Sequence, residues 1–193
     1  MSARYDCLDV DAVVQGDRRL LPVRHQDLVR IMHWRNAQLN VLRQKEPLTP
    51  EQQERYYQGV LVPSYAEKQP RQILFSYLQG QELIGYGGLV HIAWEDRRAE
   101  VSFLLDPDRT KDPRVYAQDF ALYLSLIKET AFKHLGFTRI FTETYDIRPH
   151  HISILESNGF HFEGRLNSHV WIDGQPVDSL MHGCVHLPSA TGS

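Results

Sequence analysis

Residues 97–120 read RRAEVSFLLDPDRTKDPRVYAQDF, and this stretch decides the fold. It leads from a strand pattern, through a loop that contains Arg109 and Lys111, into a helix that begins at Asp112–Pro113. Apolar side chains then recur at spacings of three and four until Gly136 ends the pattern: Ala117, Phe120, Leu124, Ile127, Ala131 and Leu135. The next segment, RIFTETY, is a predicted strand. A crossover of this kind predicts two parallel strands in one sheet.

Antiparallel elements are predicted on both sides of the crossover. Upstream, the segments QILFSYL, ELIGYGGLVHIAW and RRAEVSFLL form a predicted meander of three strands. Before them, a strand in RRLLPVR precedes two helices, in HQDLVRIMHWRN and LTPEQQERYYQGVL, the second with Thr49 as a predicted N-cap. Downstream, a short helix in RPHHISILESNGF precedes a hairpin that turns at Asp173–Gly174. The predicted fold class is α+β, or mixed α/β, in one domain over residues 1–186 with a flexible tail at 187–193.

Composition excludes several classes of function. The chain has 193 residues, a net charge of -3 and a pI near 6.4, so it lacks the basic surface that nonspecific binding to nucleic acid requires. Its apolar runs are all shorter than the roughly 20 residues that span a bilayer. Cys7 and Cys184 are too few for a disulfide scaffold. We therefore expect a cytoplasmic protein that has neither nucleic acid nor a membrane as a partner.

Glu100 is the first candidate for chemistry. On the predicted strand, Ala99, Val101 and Phe103 face one side while Glu100 and Ser102 face the other, which sets a carboxylate among small or apolar neighbours. Desolvation at such a position favours a general base. The alternative interpretation is a cross-strand ion pair with a nearby arginine, Arg97 or Arg98.

The start of the long helix is a candidate anion site. Free N–H groups at a helix N-terminus, with Arg109 and Lys111 nearby, suit a diphosphate. The alternative is that both cations are solvated and that Asp112 caps the helix, because its carboxylate can accept hydrogen bonds from the same N–H groups.

Other residue types carry weaker signals. Tyr145 follows the second crossover strand and can serve as a general acid toward a thiolate, or simply pack. Gly85, Gly87 and Gly88 weaken a strand, which indicates either a bulge or the close approach of a ligand. The histidines that open the short helix are expected to be solvated. His182, Cys184 and His186 share a strand face, but without a fourth ligand we expect no metal. The motifs of serine hydrolases, P-loop proteins and dinucleotide oxidoreductases are absent from the sequence.

The order of elements and several strings resemble the GNAT superfamily of CoA-dependent N-acetyltransferases. The strings are LIGYGGLVHIAWEDRRAEVSFLLDP, ETAFKHLGFTRIF and ISILESNGFHFEGRL, and the last contains the pattern Glu156-x-x-Gly159-Phe160. Within the superfamily, the chain is most similar to the branches that acetylate the N-termini of ribosomal proteins or nucleotide-linked amino sugars.

The resemblance implies a three-layer fold with a twisted, mostly antiparallel sheet, one parallel crossover and flanking helices. It also implies that the two crossover strands diverge, and that acetyl-CoA, as co-substrate, lies between them. The implied reaction is direct attack by a primary amine of an amino sugar, a protein N-terminus or a small molecule. Glu100 is then the base. The resemblance assigns no acid, because Leu155 stands at the position of the family's tyrosine, and Tyr145 is our substitute for it. The predicted cofactor contacts are Phe103, Leu104, Leu105, Arg109, Thr110, Lys111, Tyr116 and Arg148. The predicted acceptor contacts are His33, Trp34, Arg35, His169 and Trp171.

Three departures from the family pattern leave an alternative open. The diphosphate loop has no glycine, Arg148 stands where relatives have asparagine, and Leu155 stands where some relatives have a catalytic tyrosine. The alternative is a non-catalytic module that keeps the fold and binds CoA or a nucleotide-sugar. The partner is expected to be a small-molecule or peptide amine, and self-association as a homodimer is left open.

Overall fold

The computed structural model describes residues 4–187. Eight strands in this part of the chain form one sheet. They are β1 (Val13–Gln15), β2 (Arg18–Pro22), β3 (Ile73–Gln79), β4 (Glu82–Ala93), β5 (Arg98–Leu105), β6 (Arg139–Tyr145), β7 (His161–Ile172) and β8 (Gln175–Val185). The α-helices are α1 (Leu28–Asn36), α2 (Pro50–Tyr56), α3 (Val62–Tyr65), α4 (Pro107–Thr110), α5 (Pro113–Lys128) and α6 (Pro149–Ser157). The predicted tail lies outside the described residues except for Leu187.

The strand order across the sheet is β1-β2-β3-β4-β5-β6-β8-β7. Consecutive strands from β1 to β5 pair antiparallel, and β5 pairs parallel with β6 across the helix-containing crossover. The C-terminal hairpin then adds β8 beside β6 and leaves β7 at the edge. The mixed α/β fold class and its single parallel crossover, as predicted, are confirmed for the described residues.

The two crossover strands pair only at one end. Residues 98–100 of β5 lie opposite 139–141 of β6, and beyond Glu100 and Phe141 the two strands are no longer paired. β5 continues to Leu105 and β6 to Tyr145, so both strands have free edges toward each other past this point. The sheet therefore contains a V-shaped opening, as the family resemblance implies.

Helical segments cover both faces of the sheet. Phe103 on β5 stacks on Phe120 of α5, with ring centroids 4.4 Å apart. Because side chains alternate along a strand, Glu100 lies on the other face, where it contacts Arg43 from the segment between α1 and α2. Residues 73–78 of β3 are all buried, which is expected for a central strand covered on both sides.

Two glycines of β4 are explained by close packing. A Cβ at Gly87 would overlap the carbonyl oxygen of Ser102 and lie 2.5 Å from the Tyr123 hydroxyl. That hydroxyl donates a 2.6 Å hydrogen bond to the same carbonyl. At Gly88, φ is +154° and a Cβ would overlap the carbonyl oxygen of Ile73. These glycines allow the backbone of β4 to pack closely against its neighbours.

Helix boundaries follow the capping signals in the sequence. Thr49 accepts a hydrogen bond from the Gln52 backbone, and the Gln52 side chain accepts one from the Thr49 backbone, so the predicted N-cap of α2 is a full capping box. The long helix begins at Pro113 as predicted, and its final turn, Glu129–His134, widens to a π-helix before Gly136 at φ +66°. None of the helices in residues 4–187 has the length and apolarity that a membrane crossing needs.

Candidate functional site

A cleft of about 620 Å³ occupies the V-shaped opening. Strands β5 and β6 form its walls, and the segment between α1 and α2 covers it. Because alternate residues of a strand face opposite ways, the cleft has two chemically distinct sides. Its acidic side contains Glu100, Glu143 and Tyr145, and its aromatic side contains Phe103, Phe120 and His151.

Glu100 is buried on the acidic side, with 7% of its surface exposed. Its Oε1 accepts a 2.8 Å hydrogen bond from Arg43, and its Oε2 lies 3.3 Å from the same guanidinium and 2.7 Å from Nδ1 of His91. The expected burial is confirmed. The alternative interpretation, an ion pair with an arginine, is also confirmed, but its partner is Arg43 from a loop, so the named partners Arg97 and Arg98 are wrong.

His91 reaches Glu100 through an irregularity in β4. The register between β4 and β5 shifts between Val90 and Ala93, and His91 adopts φ +47° within this bulge. A left-handed backbone is uncommon for a residue with a side chain. Here it accompanies a ring placed against the buried carboxylate, and bulges often re-aim a side chain in this way.

Glu143, on β6, is a second carboxylate on the acidic side that the sequence reasoning missed. Its Oε2 accepts a 2.8 Å hydrogen bond from Arg43, and its Oε1 accepts one of 3.0 Å from Ser179. Burial pushes the pKa of Glu143 upward, but the Ser179 hydrogen bond and the Arg43 charge outweigh it and lower the pKa. Glu143 lies two residues before Tyr145 on the same strand, so the two side chains share a face. This spacing was the signal in the sequence that could have identified Glu143.

Tyr145 lies on the same side as the two carboxylates, with 7% of its surface exposed. Burial raises the pKa of its phenol, while Arg43 opposes the rise. The phenol is therefore protonated at neutral pH. The structure brings the predicted base, Glu100, and the predicted acid, Tyr145, into one cleft.

The aromatic side carries a buried hydrogen-bonded chain. Arg148 donates to the Tyr116 hydroxyl at 2.9 Å, and this hydroxyl lies 2.7 Å from Nδ1 of His151. Because the hydroxyl accepts from Arg148, it donates its own proton to Nδ1 of a neutral imidazole. Burial, and then the Arg148 charge, lowers the pKa of His151 well below its ordinary value. The expectation that this histidine is solvated is wrong, because its ring stacks on Phe120 at 4.2 Å.

The buried His151 predicts a specific loss of stability in acid. Its pKa is lower in the folded state than in the unfolded chain, where it is about 6.5, so the unfolded state takes up the proton first. The free energy of unfolding should therefore fall by about 1 kcal/mol between about pH 7.5 and pH 5.5. In His151→Gln this component should vanish, as measured by urea unfolding at both pH values. The exposed neighbour gives the control: His150→Gln should keep the wild-type dependence, and an unchanged dependence in His151→Gln would contradict the assignment.

In the turn predicted to hold a diphosphate, the groups that would bind it already contact side chains of the protein. Asp112 accepts hydrogen bonds from the backbone N–H groups of Arg114 and Val115, so the capping interpretation is confirmed. The same interpretation is wrong for Arg109, which is not a solvated charge but donates to the buried carboxylate of Asp119 at 2.7 Å. Lys111 is exposed and pairs with Asp108.

The remaining cofactor predictions divide between the cleft and its surroundings. Phe103, Leu104 and Arg148 line the cleft, and Tyr116 lies behind it through its bond to Arg148. Leu105 is buried in the core, outside the cleft lining. The Thr110 hydroxyl donates to the Pro107 carbonyl within the short α4.

Two of the five predicted acceptor contacts line the cleft or the depression beside it, and three do not. Arg35 lines the cleft, and His169 lies with Nδ1 3.2 Å from Glu143 in a depression that adjoins the acidic side. His33 is exposed, Trp34 is buried in the core and Trp171 is exposed at the edge strand, and none of the three lines these cavities. Residues 4–187 contain no cluster of three or more side chains suited to a metal ion.

The chain is similar to one known protein family and to several solved structures. The family model described as acetyltransferase (GNAT) domain matches residues 20–181. A spermidine N-acetyltransferase from Vibrio cholerae, in complex with CoA and spermine, is 18% identical, with coverage of 89% of this chain and 96% of that chain, and a TM-score of 0.77. Mutant forms of the spermidine/spermine N-acetyltransferase SpeG from Vibrio cholerae match at 20% identity, 89% and 95% coverage and a TM-score of 0.74. A probable GNAT-family acetyltransferase from Chromobacterium violaceum ATCC 12472 matches at 13% identity, 91% coverage of each chain and a TM-score of 0.72.

No curated protein sequence matches the chain. At these low identities the solved structures show only that the fold is the same. The family is shown by the family model, which matches residues 20–181. The Vibrio cholerae neighbours are spermidine N-acetyltransferases rather than members of the two branches that the sequence resembles. Because this family model matches residues 20–181 of 193, including both walls of the cleft, the chain belongs to the GNAT family and is a CoA-dependent N-acetyltransferase.

Proposed function

We propose that the protein transfers the acetyl group of acetyl-CoA to a primary amine of a small cationic molecule, with Glu100 as the general base. The observation that carries the proposal is the buried Glu100 carboxylate at the divergence of β5 and β6, with a second carboxylate, Glu143, opposite it. Two carboxylates on one side of a cleft favour an acceptor that arrives as an ammonium ion.

The proposed reaction is direct attack without an acyl-enzyme. An alkyl ammonium has a pKa near that of lysine, about 10.4, so a proton must leave before the nitrogen can attack. Glu100 accepts this proton, and the neutral amine attacks the thioester carbonyl carbon. The C–S bond of the tetrahedral intermediate then breaks, and the CoA thiolate takes a proton from Tyr145. The nitrogen of the new amide still carries an extra proton, and its transfer to the Tyr145 phenolate restores the tyrosine. Glu100 returns its proton to solvent.

The aromatic side is the proposed cofactor side. Phe103 offers an apolar wall, and Arg148 offers a cation that suits a phosphate. Contact between the diphosphate and residues 109–111 remains a prediction. Among these three residues Lys111 is exposed, whereas Arg109 is held by Asp119.

The proposed acceptor is a small amine that arrives as a cation. An amino sugar and a protein N-terminus remain alternatives, and the acidic side favours a small cationic amine over both. Spermidine and spermine are named for the Vibrio cholerae neighbours, which supports this choice. One of those neighbours is dodecameric, so the homodimer prediction extends to self-association in general. The cytoplasm is the proposed compartment, and the free thiols of Cys7 and Cys184 support it.

Release of the CoA thiol tests the proposal. The protein is incubated with acetyl-CoA and a panel of a monoamine, a diamine, an amino sugar and a short peptide with a free N-terminus. We expect thiol release that depends on amine and is faster with the small amines than with the amino sugar or the peptide. Calorimetric titration with acetyl-CoA is run in parallel. Binding of acetyl-CoA without release on any amine would contradict the proposed acceptor class.

A further inference from the structure

Arg43 occupies the centre of the acidic side. Its Nη2 atom lies 2.8 Å from Oε1 of Glu100 and 2.8 Å from Oε2 of Glu143, so one nitrogen bridges the two walls of the cleft. The side chain reaches this position from the segment between α1 and α2 and is about half exposed, at 49%. A single cation thus sits where the proposed acceptor ammonium must approach Glu100.

The carboxylates have no unoccupied oxygen in this arrangement. On Glu100, Oε1 is held by Arg43, and Oε2 is held by Arg43 and His91. On Glu143, Oε2 is held by Arg43, and Oε1 is held by Ser179 with His169 3.2 Å away. A carboxylate oxygen can accept a second hydrogen bond, so one incoming ammonium can join these donors at the carboxylates. Arg43 is the one donor among them with a permanent charge, since arginine stays protonated in proteins.

The geometry allows the Arg43 side chain to leave without unfolding its segment. The next residue, Gln44, accepts a 2.9 Å hydrogen bond from Arg35 and donates to Asn36 at 3.0 Å, which fixes the backbone beside α1. Rotation about the flexible stem of Arg43 would move its guanidinium to solvent while this anchor holds. Displacement is then a side-chain exchange of one cation for another.

We propose that Arg43 is an internal counter-ion that selects acceptors by the number of positive charges they carry. This inference rests on the proposed function of the same cleft. With Arg43 in place, Glu100 and Glu143 together leave one net negative charge, which matches a single ammonium. An acceptor with two ammonium groups meets repulsion from Arg43 and must displace it from both carboxylates. Removal of Arg43 should therefore favour dications over monocations.

The test compares 1,3-diaminopropane with propylamine, which have the same carbon chain and differ by one ammonium. In Arg43→Gln, we expect the KM for 1,3-diaminopropane to fall at least tenfold and the KM for propylamine to change less than threefold. Arg43→Lys keeps one positive charge, so it should preserve most of the wild-type discrimination. Thermal unfolding of each variant checks that the fold is retained.

The matched control is Arg165→Gln. The Arg165 side chain is 44% exposed and its Nη1 also bridges two carboxylates, those of Asp146 and Asp178, but it lies outside the cleft lining. This variant should show wild-type KM values for both amines. It therefore removes the same charge and the same kind of bridge without touching the acidic side.

Calorimetry separates a failure of this inference from a failure of the proposed function. If neither amine is acetylated, the proposed function fails, and the affinity of each variant for 1,3-diaminopropane still tests Arg43 directly. Tighter binding of the diamine by Arg43→Gln, and not by Arg165→Gln, supports the counter-ion role. Equal effects on both amines, or weaker binding of the diamine, would overturn it and make Arg43 a structural or acceptor-binding residue.

Discussion

Replacement of Glu100 by Gln should lower kcat by about 10²- to 10⁴-fold, the range expected for loss of a general base. The amide has nearly the same shape as the carboxylate, so the walls of the cleft should keep their positions while the proton acceptor is lost. The affinity for acetyl-CoA should be unchanged, because the proposed cofactor contacts lie on the aromatic side. Steady-state kinetics with saturating amine and calorimetric titration with acetyl-CoA measure the two quantities.

Glu82→Gln serves as the control for this experiment. Glu82 begins β4, its side chain is 65% exposed, and it faces Arg30 rather than the cleft. The control should have wild-type kcat and acetyl-CoA affinity. A Glu100→Gln enzyme that keeps kcat within threefold of wild type would show that Glu100 is only the ion-pair partner of Arg43 and His91.

Replacement of Asp119 by Ala should lower the free energy of unfolding by about 4 kcal/mol. Asp119 is 1% exposed and accepts hydrogen bonds from Arg18 at 2.8 Å and Arg109 at 2.7 Å. Arg18 is itself buried, and its Nε already lacks a partner among the described residues. Without Asp119, the charge of Arg18 would remain in the core without its buried partner, which is the costly case for a buried ion pair.

Urea unfolding at neutral pH measures the loss, and Asp108→Ala is the control. Asp108 pairs with Lys111 on the surface, with side chains 83% and 76% exposed, so its removal should leave the midpoint of unfolding unchanged. Similar midpoints for the two variants would mean that the Asp119 network adds little to stability.

Much of the fold was predictable from local patterns. Spacings of three and four located α5, Thr49 before Pro50 located the start of α2, and Asp173–Gly174 located the last hairpin. The placement of β8 between β6 and β7 was not predictable in this way. Either strand of a hairpin can pair with a neighbour, and the choice depends on packing between residues far apart in sequence.

The candidate site was predictable where strand alternation defines it. Alternation set Glu100 apart from Phe103, and the end of β6 placed Tyr145 near the cleft. Arg43 carried no local signal, because it acts across 57 residues of sequence to reach Glu100. His91 depends on a bulge that glycine content alone does not locate, and His151 is buried by the packing of α6 against α5.

The short pairing between β5 and β6 has a mechanical consequence. Three residue pairs between β5 and β6 connect the two parts of the sheet, which are the five strands β1 to β5 and the three strands β6, β8 and β7. Where β5 and β6 are no longer paired, side chains of α5 and α6 pack against each other, as Phe120 does on His151. Beyond Glu100 and Phe141 the two strands are not paired, so the packing of α5 against α6 contributes to the width of the gap. A change at the Phe120–His151 contact would then alter the spacing of the reactants without replacing a residue of either strand.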